Sequence, residues 1–563
     1  MMHSVARLKR SADAALRRAY GQVVTHWRDY SATGRAIAEK RAATDRLLDE
    51  VARNTPYCFD GTVLVDGMWD NPNYWLRFSL LRGALGLAHA NEVGVLGEFR
   101  RRHCRATFER LGIRAIESFP DLPAPAGIAR RSAELVQRTK SADDILGWDL
   151  PEGVHPAIVY DGILKRQRLA SVDIHDPQFA DHVGAALTAI DRGRQLLDRH
   201  RVDLVVITHP LNFTYGALAW QALARGIPVV LPFGAFGTLR FTRFSQPTDL
   251  FSYHDRPDGA DIDGLSSQKA EALAELGRRY LAHRLDGLTG DLPSQYAFQR
   301  YRGYVDRELL CRHFGWNPQK PIVAFYAANW YDWPHQLGMT QFSDFLDWTS
   351  TTHEVARNND RVNWLFKPHP AEEWFGGISL AEVFSRFGNV PHIGLADKAW
   401  NNTRIQQSID ALITYHGTAG IEFAASGKPV LVPDRGNYDG CGFVKVARSR
   451  EHYLDLLSSE WWNDIELGDA RRRAEIFAGW WFCMPEWQGS FVLGDDARQN
   501  ALYDLIPDLV NKNRMTVDRE LREIREWWDS GERYYHTRKM ANAERYRLSN
   551  ISGGNPAPTE TGR

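Results

Sequence analysis

Two short apolar runs of the chain end in residue types that suit phosphate binding. Residues 362–366 are followed by a stiff polar loop, Lys367, Pro368, His369 and Pro370. Residues 411–415 are followed by His416, Gly417 and Thr418. Ammonium and imidazole groups donate hydrogen bonds to phosphate oxygens, and glycine lets the backbone approach a ligand closely. These residue types therefore predict a site for a phosphate.

The residues around His369 and Thr418 make this prediction more specific. Prolines on both sides of His369 restrict the backbone, so the imidazole is presented on a rigid loop. Thr418 can begin a helix whose first N–H groups favour an anion. Glu422 lies one turn further along the same helix face, where it would repel phosphate but can accept hydrogen bonds from a sugar hydroxyl. An ordinary strand–turn–helix unit, with His369 in a turn and Glu422 in solvent, stays open.

Secondary structure must bring these residues together. Short apolar runs that alternate with helical segments predict a parallel sheet with helices on its faces. Ligands of such sheets bind beyond the carboxyl ends of the strands. We expect the following residues at that edge: Lys367, His369, His416, Gly417 and Thr418.

The first half of the chain shows the same alternation. Strands are predicted at 62–65, 92–96 and 114–118. Helices are predicted between them, which makes a βαβαβ unit of the Rossmann-like kind. The first strand ends at Asp66, and Asp70 lies in the loop that follows. Residues 120–180 contain several prolines and aspartates, and we predict irregular structure there.

One pattern occurs once in each half. A strand ends before His209, a helix follows that ends at a glycine, and a second strand begins with a proline. The same order of elements recurs around His416. Two similar Rossmann-like domains are the simplest explanation, although common βα sequence patterns can also converge on it. A further strand at 321–326 leads into a loop that contains Asn329, and we expect this loop to face the cleft between the domains.

Composition narrows the class of protein. A chain of 563 residues is too long for one core, so two or three domains are expected. Its 44% hydrophobic and 25% charged residues are typical of a soluble globular protein, and a net charge of −1 argues against a nucleic-acid partner. Five cysteines without CxxC spacing indicate a reducing cytosol and no zinc site. The sequence shows no signal peptide and no apolar run of ~20 residues, so we expect a cytoplasmic protein.

Four motifs in order resemble a known family. They are Lys367-Pro368-His369-Pro370, Gly417-Thr418-Ala419-Gly420-Ile421-Glu422, Gly427-Lys428-Pro429-Val430 and Tyr438-Asp439-Gly440-Cys441-Gly442. Together they resemble the bacterial capsule polysaccharide biosynthesis family, which includes transferases of the octulosonic acid Kdo. The resemblance covers residues 360–445. The sequence departs from the family pattern at Phe423-Ala424, where Ala-Leu is usual, and at Asp439, which replaces an alanine, and these departures leave the donor sugar open.

The resemblance implies a GT-B fold, with the nucleotide-sugar donor on the C-terminal domain and the acceptor on the N-terminal domain. It also implies that His369 contacts the donor phosphate and that Thr418 and Glu422 occupy donor-site positions. The expected fold is accordingly α/β and GT-B-like, with two Rossmann-like domains facing a cleft and extra helices at both ends. The predicted segments are an N-terminal helical segment (1–54), the acceptor domain (55–260), a helical connector (261–314), the nucleotide-sugar domain (315–460), C-terminal helices (461–548) and a disordered tail (549–563).

The functional hypothesis is a metal-independent glycosyltransferase without a cofactor. It would move a sugar, Kdo or a related acidic sugar, from a nucleotide-activated donor to a growing surface polysaccharide or glycolipid. The predicted donor-binding residues are Lys367, His369, His416, Gly417, Thr418, Glu422 and Asn329. No DxD carboxylate pair at a strand end is apparent that would hold a metal.

The acceptor hydroxyl needs a base. Asp66 and Asp70 are the first candidates, with His209 behind them, although Asp66 before a glycine and Asp70 before Asn-Pro are also common turn residues. Two other classes stay open: a CDP-glycerol-type phosphotransferase, and a non-catalytic scaffold of a polysaccharide assembly complex that docks through the helices after residue 460. A sugar epimerase with two Rossmann domains is a weaker alternative.

The expected place of action is the cytoplasm, with contact at the inner face of the cell membrane left open. Residues 515–548 mix tryptophan and arginine with acidic residues. Because the acidic residues are interleaved throughout, the pattern favours a packed or solvated helix over a lipid-binding one.

Overall fold

A computed structural model of the chain describes residues 32–67, 70–97, 100–123, 125–233, 238–252, 255–289, 297–298, 303–372, 376–483, 499–512 and 514–543. Two six-stranded sheets dominate this part of the chain. The predicted tail (549–563) and the start of the predicted N-terminal helical segment (1–31) lie outside the described residues.

The first sheet is built from residues of the N-terminal half. Its strands are β1 (Thr62–Gly67), β2 (Asn91–Leu96), β3 (Ala115–Ser118), β4 (Leu204–Val206), β5 (Val229–Phe233) and β6 (Arg240–Phe244). They lie in the order β3-β2-β1-β4-β5-β6. All neighbours pair in parallel except β6, which runs antiparallel to β5 and was not predicted.

The second sheet repeats this topology in the C-terminal half. Its strands are β7 (Ile322–Tyr326), β8 (Asn363–Lys367), β9 (Ile393–Leu395), β10 (Ala411–Ile413), β11 (Val430–Val432) and β12 (Lys445–Val446). Their order is β12-β11-β10-β7-β8-β9, and all pairs are parallel. Counted from its own first strand, this is the same 3-2-1-4-5-6 order as in the first sheet, which is the Rossmann order. The predicted GT-B-like arrangement of two Rossmann-like domains is confirmed.

Helices cover both faces of each sheet. In the first half they are α1 (Ala32–Arg53), α2 (Pro72–Leu85), α3 (Arg101–Arg110), α4 (Ile128–Arg138), α5 (Pro156–Gln167), α6 (Phe179–His200) and α7 (Asn212–Ala224). Between the sheets and within the second domain lie α8 (Gly259–Asp263), α9 (Ser267–Leu285), α10 (Arg307–Phe314), α11 (Phe345–Arg357), α12 (Leu380–Phe384), α13 (Asn402–Ser408), α14 (Ala419–Ala425) and α15 (Arg450–Leu457). The chain then forms α16 (Leu467–Phe482), α17 (Gln499–Lys512), α18 (Arg514–Ser530) and α19 (Tyr535–Asn542).

The segment 120–180 is not irregular, contrary to the prediction, because it contains α4 and α5. Helix α5 begins with Pro156 at its first turn, and the side chain of His155 accepts a hydrogen bond from the backbone N–H of Ala157. Residues 157–164 of this helix are all buried. A helix that is buried on every side carries no amphipathic period, so its sequence gives no helical signal.

The two domains share one hydrophobic core. Alternate strand residues point to opposite faces, and on one face Leu64 of β1 and Val323 of β7 belong to the same contiguous cluster. Helix α5 contributes Ile158 to this cluster, and the loop between β7 and α11 contributes Trp330. The domains are therefore held in a fixed mutual arrangement by apolar packing.

A buried carboxylate fixes the loop 327–344, which connects β7 to α11 and reaches across to the first domain. Asp161 of α5 is 0% exposed. It accepts hydrogen bonds from the ring Nδ1 of His335 at 2.8 Å and from the backbone N–H of Gln336 at 2.9 Å. The side chain of Gln336 in turn donates to the carbonyl of Pro210 at 2.9 Å and accepts from the N–H of Asn212 at 3.0 Å.

The C-terminal helices return to the first domain. Helix α16 packs against α9 and α14, whereas α17 contacts α1 and α2, and α18 packs on α2. Trp527 of α18 is completely buried and stacks against Phe241 of β6. This tryptophan of α18 thus contributes to packing against the first sheet. In the described part of the chain no helix has both the length and the apolar character needed to cross a membrane.

We predict that Asp161→Ala destabilises the whole protein. The substitution leaves the His335 and Gln336 donors buried without an acceptor, and each stranded donor costs about 1–3 kcal/mol. The measurement is the midpoint of thermal unfolding, which should fall clearly. Asp181→Ala, at an exposed position of α6, is the matched control and should leave the midpoint unchanged. Equal midpoints for the two variants would show that the loop is held by other contacts.

Candidate active site

The strand order reverses at the centre of each sheet, between β1 and β4 in the first and between β7 and β10 in the second. Ligands of open α/β sheets bind in the crevice outside the carboxyl ends of the strands at such a point. Most of the predicted site residues lie at or just after the carboxyl ends of these central strands or of β8, the neighbour of β7.

Lys367, His369 and His416 lie at the same edge of the second sheet. Lys367 is the last residue of β8, and His416 follows β10. Strand β7 separates them, and the N–H of Ala327 after β7 donates to the carbonyl of Lys367 at 3.0 Å. Lys367 and His416 both lie close enough to His369 to lower its pKa. The structure therefore brings these three predicted residues together.

His369 is a neutral hydrogen-bond donor at neutral pH. Its ring Nδ1 accepts a hydrogen bond from the N–H of Ala371 at 3.2 Å, so the proton of the neutral ring is on Nε2. Burial lowers the pKa of His369 to about 4, and the neighbouring Lys367 and His416 act in the same direction. The rigid loop thus presents an imidazole whose Nε2–H can donate without carrying a positive charge.

The neighbouring groups have equally defined surroundings. Burial lowers the pKa of His416 to about 4, and its ring centroid lies 5.6 Å from that of Phe345. The ammonium group of Lys367 lies 4.9 Å from the ring centroid of Tyr326. At neutral pH the cation Lys367 is therefore accompanied at this edge by two neutral imidazoles.

The turn at Gly417 and Thr418 is held by an arginine from another helix. Thr418 precedes α14 as its N-cap, but its side chain makes no capping hydrogen bond. Instead its hydroxyl accepts from Nη2 of Arg284 at 3.1 Å, and Nε of Arg284 donates to Glu422 Oε1 at 2.7 Å. The Arg284 and Glu422 side chains are each 3% exposed. A sugar hydroxyl at Glu422 would therefore have to share the carboxylate with a buried ion pair.

Asp66 and Asp70 are occupied by contacts within the first domain. Asp66 Oδ2 accepts from the N–H of Thr208 at 3.0 Å and also from its hydroxyl, which ties β1 to the end of β4. Asp70 makes a two-pronged ion pair with Arg41 of α1, at 2.6 and 2.9 Å. Both carboxylates are buried. Their assignment as the catalytic base stays a prediction, and each would have to act while held in these bonds.

His209 faces the second domain. It follows β4, and its ring centroid lies 6.3 Å from that of Trp333 in the 327–344 loop. Burial, together with the nearby Lys165, lowers the pKa of His209 to about 4. The ammonium group of Lys165 lies 5.0 and 5.2 Å from the rings of Tyr331 and Trp333. Aromatic and cationic groups of the two domains therefore meet at the place where the cleft was predicted.

Asn329 lies at the start of the 327–344 loop as predicted, and its side chain is buried. Among the described residues its amide Nδ2 has no hydrogen-bond partner. Its backbone carbonyl accepts from the N–H of Asp332 at 3.1 Å, which forms a turn beside the cleft.

The sequence prediction did not include Lys165 or Asp332. Lys165 was missed because it lies in the segment expected to be irregular. Asp332 had a usable signal, since it is a single acid among aromatic residues directly after a buried strand. Among the described residues, no three His, Cys, Asp or Glu side chains lie together as a metal site would require.

Comparisons with known proteins give only distant similarity. No protein-family model and no curated protein matches the chain. Among solved structures, it is similar to the beta Kdo 2,4 transferase KpsC of Thermosulfurimonas dismutans, with a TM-score of 0.29 and 13% identity over 46% of this chain and 78% of that one. It is also similar to a UDP-GlcNAc 2-epimerase from Neisseria meningitidis, with a TM-score of 0.22 and 11% identity over 81% of this chain and 100% of that one. A third similar structure is the glycosyltransferase SnogD from Streptomyces nogalater, with a TM-score of 0.21 and 14% identity over 75% of this chain and 98% of that one.

We predict that Glu422→Gln lowers the thermal midpoint of the ligand-free protein. Removing one partner of a buried ion pair leaves the other charge uncompensated, which costs about 3–5 kcal/mol. Arg284→Met should also be destabilising, and the double variant should be less destabilised than the sum of the two single variants. If Glu422 serves only the sugar, the ligand-free midpoint stays unchanged and only nucleotide affinity falls.

We predict that acidification from pH 6.5 to pH 4 destabilises the protein through His369 and His416. Their pKa values are about 4 in the folded protein and about 6.5 in an unfolded chain. In this range the unfolded chain binds protons that the folded one does not, so stability is lost as the pH falls. The double variant His369→Gln/His416→Gln should lose less stability over this range, measured as thermal midpoint against pH. Replacement of the exposed His175 by Gln is the control and should change nothing.

Proposed function

We propose that the protein is a glycosyltransferase that transfers a sugar from a nucleotide-activated donor to a hydroxyl group of a glycan or glycolipid. The observation that carries this proposal is the group of Lys367, His369 and His416 at the centre of the second sheet. One cation and two neutral imidazoles at this edge match the phosphate of a nucleotide sugar. The resemblance of the four sequence motifs to capsule polysaccharide transferases agrees with this placement.

The proposed role of the group is to stabilise the leaving nucleotide. Breaking the bond between the sugar and the phosphate leaves negative charge on a phosphate oxygen. Lys367 supplies a fixed positive charge, and the Nε2–H of His369 supplies a hydrogen bond that is in place before the charge develops. Donors positioned in this way are commonly the largest single contribution to such catalysis. No step in this scheme requires a metal ion.

The remaining predicted residues of the same edge are proposed to position the donor nucleotide. We propose that the Gly417–Thr418 turn approaches the phosphate, with its position fixed by Arg284. The side chain of Asn329, whose amide lacks a partner among the described residues, would donate to the donor sugar or base. In the same proposal Glu422 acts on a sugar hydroxyl or maintains the turn through Arg284.

The acceptor is proposed to enter from the first domain, on the side of His209, Asp66 and Asp70. A growing surface polysaccharide or glycolipid with a free hydroxyl would fit this role, with Kdo or a related acidic sugar as the transferred unit. We propose that the protein works in the cytoplasm and, where the acceptor is a glycolipid, contacts the inner face of the cell membrane peripherally.

We predict that His369→Ala reduces turnover by about 10²–10³, because it removes one preorganised donor to the charge that develops on the phosphate. The assay measures nucleotide release from activated sugars of CMP, UDP and GDP. An effect on KM alone would mean that His369 binds the ground state and the transition state equally. His175→Ala, at an exposed position, is the control and should retain full turnover. If His369→Ala turns over like the parent, the site is wrongly assigned.

A thermal-shift series with CMP, CDP, UDP and GDP tests binding separately from catalysis. A nucleotide at 100 times its dissociation constant stabilises the folded state by about 2.7 kcal/mol. Stabilisation by a nucleotide without turnover of any donor would favour a scaffold. Transfer of phosphorus to the acceptor would favour the phosphotransferase, since a glycosyltransferase releases the whole nucleotide phosphate.

A further inference from the structure

Most carboxylates near the strand ends are occupied by strong donors. Asp66 is bound by Thr208, Asp70 by Arg41, Asp161 by His335, Glu422 by Arg284 and Asp434 by Thr340. Each of these groups has a structural role that accounts for its burial. Asp332 differs from them, because in the described part of the chain no hydrogen bond reaches its carboxylate.

The backbone around Asp332 is fixed. Its N–H donates to the carbonyl of Asn329 at 3.1 Å, and the flanking Tyr331 and Trp333 are both buried. Trp333 has a φ of 55°, a left-handed conformation that is rare for a bulky residue. Such a conformation is strained and persists only where surrounding contacts enforce it. The backbone that carries the Asp332 carboxylate is thus held in an ordered, strained turn.

A cation from the opposite domain lies over this turn. The ammonium group of Lys165 is 5.0 Å from the Tyr331 ring and 5.2 Å from the Trp333 ring, the two residues on either side of Asp332. His209, which follows β4, reaches the same turn through its contact with Trp333. Asp332 therefore faces the acceptor side of the cleft although it belongs to the donor domain.

We propose that Asp332 is the general base of the transfer and that Lys165 is a positioning residue, whose positive charge lies over the turn that carries this carboxylate. This inference rests on the proposed sugar transfer. The carboxylate takes the proton of the acceptor hydroxyl while the electron pair of that oxygen forms a bond to the anomeric carbon. The bond between that carbon and the phosphate oxygen breaks, and its electrons stay on the nucleotide. The proton on Asp332 then passes to solvent, which balances the reaction.

The surroundings of Asp332 suit this role. Burial raises the pKa of Asp332 above that of an exposed aspartate, and Lys165 opposes that rise. A base whose pKa lies closer to neutrality accepts a proton more effectively, and the positive charge of Lys165 favours the ionised form of this carboxylate. Asp66 and Asp70, by contrast, would have to give up strong hydrogen bonds before accepting a proton.

The test compares Asp332→Asn with the parent in the nucleotide-release assay, with the activated sugar that the parent turns over and with water or a glycan as acceptor. Loss of a general base lowers turnover by about 10²–10⁴. The thermal midpoint should stay unchanged, since the carboxylate holds no described hydrogen bond. Stabilisation by the free nucleotide should be retained, since Asp332 is not among the groups proposed to bind the phosphate. Glu354→Gln, at an exposed position of α11, is the matched control.

The pH profile separates a base from a structural residue. The titratable groups that interact directly with Asp332 are Lys165 of α5 and the neighbouring Tyr331. Arg168, just after α5, interacts with both of these groups, and His209 interacts with Lys165. Removing the positive charge in Lys165→Met makes the ionised carboxylate less favourable, so its pKa rises. The acid limb of the kcat/KM profile should then move to higher pH, whereas Lys165→Arg should leave it in place.

The outcomes are distinct. Turnover of Asp332→Asn equal to the parent overturns the assignment and leaves the proposed function intact. Loss of nucleotide stabilisation in Asp332→Asn would place the residue in donor binding and would also overturn it. If Asp332→Asn does not fold, the test is the pH profile of kcat/KM for Lys165→Met. An acid limb that does not move from its position in the parent would then overturn the proposal. If the parent itself turns over no activated sugar and binds no nucleotide, the proposed function fails and this inference fails with it.

Discussion

The arrangement of the two domains depends on the buried carboxylate of Asp161. A carboxylate without donors in such a place would cost several kcal/mol, so the chain must supply them, and it does so from a loop of the other domain. The hydrogen bonds from His335 and Gln336 fix this loop against α5. Once the loop is fixed, the turn at Asn329 and Asp332 lies in the cleft, where Lys165 and the aromatic rings meet.

The repeated topology explains why the candidate residues come from distant parts of the chain. Each sheet has its reversal of strand order between its first and fourth strands, and in each a histidine follows the fourth. His209 and His416 are therefore equivalent positions of two similar domains. Their surroundings differ, since His209 faces the aromatic loop of the second domain whereas His416 lies beside His369 and Lys367. The same fold thus places a histidine at the reversal point of each sheet, and we propose that the phosphate binds at one of these edges and the acceptor at the other.

The sequence predicted the strands at the centre of each sheet, because their short apolar runs and the polar, glycine or proline residues that end them are local signals. It did not predict β6, β9 and β12, which lie at or near the sheet edges. The edge position of Lys367, His369 and His416 followed from the same reasoning. The sequence did not show which carboxylates were occupied, since this depends on partners far along the chain. Arg284 pairs with Glu422 across 138 residues, and Arg41 pairs with Asp70 from a separate helix. Helix α5 was missed because burial on all sides removes the amphipathic pattern, and with it Lys165 and the anchor Asp161 were missed as well.

The charges at the edge that carries Lys367, His369 and His416 follow from its burial. Burial lowers the pKa of both histidines to about 4, and for His369 the neighbouring Lys367 acts in the same direction, so both rings are neutral at pH 7. A neutral imidazole can still donate a hydrogen bond, and the Nε2–H of His369 is fixed by the bond that its Nδ1 accepts. A phosphate bound here, as proposed, would therefore meet the charge of Lys367 and this oriented donor. Because the donor is in place before any bond breaks, it would stabilise most strongly the species whose negative charge increases during the reaction.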